Sequence, residues 1–158
     1  MEAFFCYDSL TPLGKIAIGM EGGAVTRLIF GEKLPEGAVV LELPTVLSAC
    51  CKQELEEYFA GTRQTFDLPL APKGTAFQQK VWAALREIPY GQTRSYGEIA
   101  AIVGNPKASR AVGMANNQNP ISILIPCHRV IGKDGSLTGY GGGTEKKKWL
   151  LELEQRGR

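Results

Sequence analysis

The chain has a single histidine, and none of its four cysteines stands in a CxxC spacing. That argues against a four-ligand zinc site, which needs Cys and His donors at short, regular intervals. Cys50 and Cys51 are adjacent, a poor geometry for a bridge, so Cys6, Cys50, Cys51 and Cys127 do not read as a disulfide scaffold. They read as thiols of a reduced, cytoplasmic protein. No apolar run approaches the roughly 20 residues that a spanning helix needs, and residues 1–14 lack the basic stretch of a secretory signal. With 44% hydrophobic and 22% charged residues, 158 residues make one ordinary globular domain or two small ones.

Charge divides the chain. Residues 1–72 carry five Lys/Arg against ten Asp/Glu, a balance of −5, whereas residues 73–158 carry thirteen against six, a balance of +7. A polyanion such as nucleic acid would meet the second half. The change falls in LPLAPKG (68–74), a Pro-rich, extended segment that reads as a linker.

Before it, 4–7, 15–20 and 24–30 are strand-like and separated by Gly-containing turns. Residues 45–60 have helical periodicity, with Leu47, Cys51, Leu55, Tyr58 and Phe59 mainly on one side. This predicts an α/β N-terminal domain over 1–72, a small antiparallel sheet plus a helix. After the linker, Thr75 with Gln78 and Ser95 with Glu98 form capping-box patterns that open two helices, the second running to Val103. Asn105 can cap a third helix with Pro106 in its first position. Two short helices joined by a three-residue, Gly-containing turn make the pattern of a helix-turn-helix.

The third helix is composed of small residues, Ala108, Ser109, Ala111, Gly113 and Ala115, with Lys107 and Arg110 as its only charges. A major-groove reader would present several large polar side chains. Small residues instead allow close backbone approach to a shallow or narrow groove, with Arg110 left to insert, although tight packing on a neighbouring helix fits them too. Residues 130–132 and 137–140 flank KDGS and predict a hairpin, the wing of a winged helix-turn-helix. Thr144 is then placed to cap a last helix that carries Trp149, Leu150 and Leu153 inward. The expected second domain, 73–158, is therefore a mostly α winged helix-turn-helix.

The lone histidine sits in ILIPCHRV (123–130), directly after Cys127. A thiol is mostly protonated at neutral pH and needs a base or a cation to become a nucleophile. Side chains adjacent in an extended segment point apart, so either the chain turns sharply at Pro126–Cys127 or a water relays the proton. A histidine base also needs a partner to fix its tautomer. Glu154, one turn beyond Leu150 and Leu151, is the best-placed candidate, though a solvated Glu near the C-terminus is the more usual reading of such a residue taken alone. Cys, His and Glu alone would permit acyl transfer, as in a thiol hydrolase.

PCHRV (126–130), preceded by NPISILI (119–125) and SRAVG (109–113), resembles the active-site signature of the O6-alkylguanine-DNA alkyltransferases, also called methylated-DNA–protein-cysteine methyltransferases. The resemblance extends from GTAFQQKVW (74–82) through YGQTRSYGEIA (90–100) to WLLELE (149–154), and more loosely into the first half. It implies a protein that binds double-stranded DNA from the minor groove and extrudes the alkylated base into a pocket. Cys127 would be the nucleophile, activated through water by His128, with Glu154 orienting that histidine. Tyr96 would crowd the backbone phosphate and donate a proton to the guanine, and Asn119 would brace the active-site turn.

Arg110 would fill the vacated stack, and Gly97, Asn105, Ala108, Ser109, Gly113 and Lys133 would complete the DNA-facing set. Pro126, Val130, Tyr140 and Gly141 would line the pocket. The thioether is stable, so each molecule acts once, as a monomer, with no cofactor and no metal. O4-alkylthymine is implied as a second substrate. Gly141 stands where some members carry a Ser after the pocket Tyr. An alkylation-sensing winged-helix regulator remains the alternative from another class.

Overall fold

The computed structural model describes residues 1–31, 33–137 and 143–157. The chain folds into two compact units, Met1–Pro72 and Lys73–Arg158.

In the first unit β1 (Ala3–Asp8), β2 (Lys15–Glu21) and β3 (Ala24–Phe30) form an antiparallel meander. β2 lies in the interior of the sheet and buries five consecutive residues, Ile16 to Met20, which is why it reads as a continuous apolar run. A Cβ at Gly19 would stand 2.8 Å from the Phe4 ring and 3.1 Å from the Arg27 Cβ, so only glycine fits between them. A fourth strand, β4 (Val39–Val40), pairs in parallel with β1, which makes the sheet mixed and not purely antiparallel. Part of the expected linker also belongs to this unit. Val25 donates to Pro69 O and Ala71 donates to Val25 O, both at 2.8 Å, so the segment covers the free edge of β3.

Helix α1 (Val46–Phe59) has Thr45 as its N-cap in a reciprocal box with Ser48. It ends in a Schellman closure, Gly61 N to Tyr58 O and Thr62 N to Glu57 O, with Gly61 at φ +82°. Ser48, Cys51, Leu55 and Tyr58 are its buried residues, whereas Leu47 and Phe59 are only half-buried.

In the second unit α2 (Ala76–Arg86) and α3 (Tyr96–Ile102) start at the expected boxes, Thr75 with Gln78 and Ser95 with Glu98. The third helix, α4 (Ser109–Asn117), starts three residues later than Pro106. The reason is a competing use of Asn105. Gly104 N bonds to Ala101 O and Asn105 N to Ala100 O, so Asn105 completes a Schellman closure of α3. The chain then makes a further turn, Ala108 N to Asn105 O, and α4 begins without a side-chain cap. The helices are thus joined by residues 103–108 and not by three. Trp82 Nε1 donates to Ala115 O at 2.8 Å and ties α2 to α4.

β5 (Arg94–Ser95) pairs in parallel with β6 (Val130–Ile131). The KDGS turn is present, with Gly132 N bonded to Ser136 O and Gly135 at φ +86°. Of the expected second hairpin arm only Leu137 is described, in no strand. Helix α5 (Thr144–Arg156) is preceded by Gly143 at φ +101°, a conformation that favours glycine, so Thr144 is its first residue and not its cap. Its inward face carries Lys147, Leu150, Leu153 and Glu154, with Trp149 half-buried. Among the described residues no helix is long and apolar enough to cross a membrane.

Candidate active site

The run from Asn119 to Arg129 folds into consecutive tight turns, and Asn119 holds the first of them. Its Oδ1 accepts from Ile121 N at 3.0 Å and its Nδ2 donates to Ile125 O at 2.8 Å. Ile123 is held at φ +70°, a strained conformation for a β-branched residue. Pro126, at φ −80° and ψ 65°, centres an inverse γ-turn closed by Cys127 N to Ile125 O. A single 3-10 turn, Cys127–Arg129, follows. The sharp turn at Pro126–Cys127 is therefore present, and Cys127 and His128 project around a tight helix, not from opposite faces of a strand, although no direct hydrogen bond joins their side chains among the described residues.

His128 and Glu154 are fully buried. His128 Nε2 and Glu154 Oε2 are 2.6 Å apart. Glu154 is saturated: Oε1 accepts from Arg129 Nε at 2.9 Å and Gly91 N at 3.2 Å, and Oε2 accepts from Arg129 Nη2 at 2.9 Å. Arg129, itself buried, also donates to Ile88 O at 2.7 Å.

Burial alone would raise the Glu154 pKa, but the hydrogen bond and charge of His128, with those of Arg129, outweigh it and hold the carboxyl well below its usual range. Burial lowers the His128 pKa against the opposing pull of Glu154. A neutral imidazole that donates from Nε2 to an ionised Glu154 keeps its lone pair on Nδ1. That atom is buried and has no hydrogen-bond partner among the described residues.

Cys127 is buried, and burial pushes its thiol up to about 11, only partly offset by a hydrogen bond from Asn119, the charge of Lys147 and backbone N–H groups. The resting sulfur is therefore a protonated thiol. Half-buried Tyr96 opens α3; burial and then Cys127 raise its phenol, so it stays a proton donor at neutral pH. A Cβ at Gly113 would lie 3.8 Å from the Tyr96 ring, and one at Gly97 3.8 Å from Ser109 Oγ, so α3 and α4 meet through the small residues picked out from the sequence. Helix α4 buries Val112, Ala115 and Asn116 and exposes Ser109, Arg110 and Ala111; Asn105 and Lys133 are exposed and Ala108 is half-buried.

A groove of about 580 Å³ is lined by Arg94, Gly97, Glu98, Ile131 and Lys133 among others, but by none of Cys127, His128, Tyr96 or Glu154. It belongs to the outer face and not to the reacting centre. Pro126 and Val130 are buried beside Cys127 along the chain; Tyr140 and Gly141 lie outside the described residues.

Three buried polar residues join the site without having been singled out by the sequence pattern. Arg129 reads there only as the residue that follows the Cys-His pair. Asn116 donates from Nδ2 to Cys127 O at 3.3 Å, and nothing but its helical phase with Val112 points it inward. Lys147 donates from Nζ to Val130 O and lies 5.9 Å from the Tyr96 ring centroid. In the run Lys146–Lys147–Lys148 its phase with Leu150 and Glu154 is the available signal.

Comparison with known proteins gives a consistent picture. Residues 76–156 match the family model described as 6-O-methylguanine DNA methyltransferase, DNA binding domain, and residues 7–72 match its ribonuclease-like domain. A Bacillus subtilis protein named methylated-DNA–protein-cysteine methyltransferase, constitutive, is 52% identical over 153 residues, covering 92% of each chain. A Mycobacterium tuberculosis methylated-DNA–protein-cysteine methyltransferase is 50% identical over 147 residues, 92% of this chain and 88% of its own. Among solved structures, the M. tuberculosis O6-methylguanine methyltransferase superposes with a TM-score of 0.89 at 44% identity over 100% of this chain and 95% of that one. OGT of the same organism in complex with DNA superposes equally well, at 45% identity over 98% and 94%.

Proposed function

The chain belongs to the O6-alkylguanine-DNA alkyltransferase family and acts in direct-reversal DNA repair as a methylated-DNA–protein-cysteine methyltransferase, and we propose that Cys127 is its acceptor. The substrate in this reading is O6-alkylguanine in duplex DNA, with O4-alkylthymine second, and the protein acts as a monomer. The observation that carries it is the buried His128–Glu154–Arg129 cluster that directly follows a buried Cys127, whose carbonyl accepts from Asn116 of α4.

Each residue then has a physical task. The face formed by Gly97, Asn105, Ala108, Ser109 and Gly113 lets the backbone of α3 and α4 approach the minor groove, with Lys133 on a flanking phosphate. Arg110, exposed on α4, fills the stack from which the damaged, poorly paired base is extruded. Ionising a thiol whose pKa is about 11 at neutral pH costs about 5 kcal/mol, so a base must take the proton as the reaction proceeds.

His128 Nδ1 is that base, reached through a water, and Glu154 stabilises the imidazolium that forms. The sulfur pair forms the S–C bond, the C–O6 bond breaks, and its electron pair passes into the guanine, which takes a proton from the Tyr96 phenol. Asn119 keeps the turn, and hence Sγ, in line. Pro126 and Val130, beside Cys127 in the chain, are assigned to the base pocket in this reading, and the family resemblance adds Tyr140 and Gly141. The second unit does the binding and the transfer, and the first has a structural or modulatory part.

Mass spectrometry after mixing with a duplex that contains one O6-methylguanine tests this. One methyl on the Cys127 peptide, saturating at one per molecule, is expected. Binding without any mass gain would sink the proposal.

A further inference from the structure

Lysine is rarely buried completely, because removing an ammonium from water is costly unless electron-rich groups replace the solvent. Lys147 is completely buried. Its Nζ donates to Val130 O, its charge lies 5.9 Å from the face of the Tyr96 ring, and it is electrostatically coupled to Cys127. A carbonyl of β6, three residues after Cys127 in the chain, and an aromatic face of α3 thus replace solvent around one ammonium.

We propose that Lys147 is the counter-charge of the Cys127 thiolate, a buried ammonium on α5 that stabilises the sulfur's negative charge while the alkyl group is taken. This rests on the reading of Cys127 as the acceptor. The groups around the sulfur leave that task to Lys147. Tyr96 from α3 is a neutral phenol, and its oxygen would repel a thiolate if ionised. His128, next in the chain, is neutral at rest, and the charges of Arg129 and Glu154 behind it are paired with each other. In the transfer, Cys127 gives its proton to His128 and Lys147 keeps its own. The sulfur charge then disappears into the thioether as the C–O6 bond breaks. Lys147 is a positioned charge here and not the base. Burial lowers its pKa to about 8, which leaves it largely protonated at neutral pH.

The test uses iodoacetamide, which needs no DNA, with the Cys127 peptide followed by mass spectrometry across pH. Lys147→Met removes the charge and keeps an unbranched apolar chain; Lys147→Arg keeps the charge. We expect Lys147→Met to slow alkylation of Cys127 about tenfold near neutral pH, where Lys147 is charged, and to approach the unmodified rate well above pH 8, and Lys147→Arg to retain most of the rate. Coincident pH profiles for Lys147→Met and the unmodified sequence would overturn the proposal.

Should the variants not fold, the pH profile of the unmutated protein decides: the rise of Cys127 alkylation with pH should break at about pH 8, where Lys147 loses its proton, and an unbroken rise refutes the proposal. A failed acceptor reading looks different: the unmutated protein gains no methyl from O6-methylguanine DNA whatever the iodoacetamide profile.

Discussion

Each unit of the molecule has one cysteine in its interior whose pKa burial pushes up, Cys51 in the first to about 12 and Cys127 in the second to about 11. The values are close, yet the surroundings differ in sign. Beside Cys51 on α1 stand Glu54 and Cys50, whose negative charges raise the thiol further. Beside Cys127 stand Asn119, Lys147 and backbone N–H groups, which all favour the thiolate, and next in the chain is a histidine backed by Glu154. Burial excludes water from both sulfurs. What separates a packing residue from a nucleophile is the provision around it for the charge that appears when the proton leaves.

The sharpest break of that comparison is to exchange roles by deletion. Cys127→Ser should abolish methyl transfer, because a hydroxyl in the same place is a far weaker nucleophile. Cys51→Ala should leave transfer per folded molecule unchanged and cost stability alone, on the order of 1–2 kcal/mol for a small core truncation. Single-turnover transfer together with urea unfolding reads both. If Cys51→Ala slowed transfer tenfold, the division between the two thiols would fail.

Next in size is Glu154→Gln. An amide cannot match the carboxylate that His128 and Arg129 share, and it leaves a buried guanidinium without its counter-charge. A loss of about 3–5 kcal/mol in stability is expected. Transfer by the fraction still folded should fall about a hundredfold or more. Unchanged rates would mean that Glu154 holds Arg129 and does nothing for His128.

The legible parts of this molecule are those decided within a few residues. The boxes Thr75–Gln78 and Ser95–Glu98 start their helices because donor and acceptor lie in one turn. Glu154 can be placed inward from its phase with Leu150. The start of α4 departs from expectation because Asn105 can serve either of two helix ends, and the backbone of α3 claims it first. β4 is two residues long and carries no pattern of its own. Lys147 and Arg129 are illegible for a deeper reason. A cation in a charged run looks solvated until the carbonyls, rings and carboxylate that replace water are assembled from 88, 96, 130 and 154.

A smaller effect separates reaction from presentation. Arg110 is exposed on α4 and belongs to the proposed DNA face, not to the chain of buried groups around Cys127. Arg110→Ala should therefore slow methyl transfer from duplex DNA about tenfold, the scale of losing one stabilising contact to an extruded base, while iodoacetamide reacts with Cys127 at an unaltered rate. If both reactions slowed together, Arg110 would be supporting the turn and not the DNA.

The smallest effect is in stability, and the two units report it separately. The chain's only histidine, His128, is in the second unit, as are both tryptophans, Trp82 and Trp149. Tryptophan fluorescence therefore follows unfolding of the unit that contains the histidine. The folded pKa of His128 is lowered, so the unfolded chain binds the proton more readily. Stability from this group is complete above its unfolded pKa of about 6.5 and is lost as pH falls below it, by at most about 1.4 kcal/mol per pH unit. The depressed Glu154 acts in a lower window, contributing above about pH 4.3 and losing that contribution as the pH falls further.

Between about pH 6.5 and 5 the fluorescence melting temperature should thus fall by several degrees. In His128→Gln the slope in that window should flatten. The first unit, whose raised Cys51 and Tyr7 titrate in the alkaline range, gives no reason for such a slope. A slope that persisted in His128→Gln would place the acid-sensitive group elsewhere and would remove the argument that His128 is buried as a neutral base.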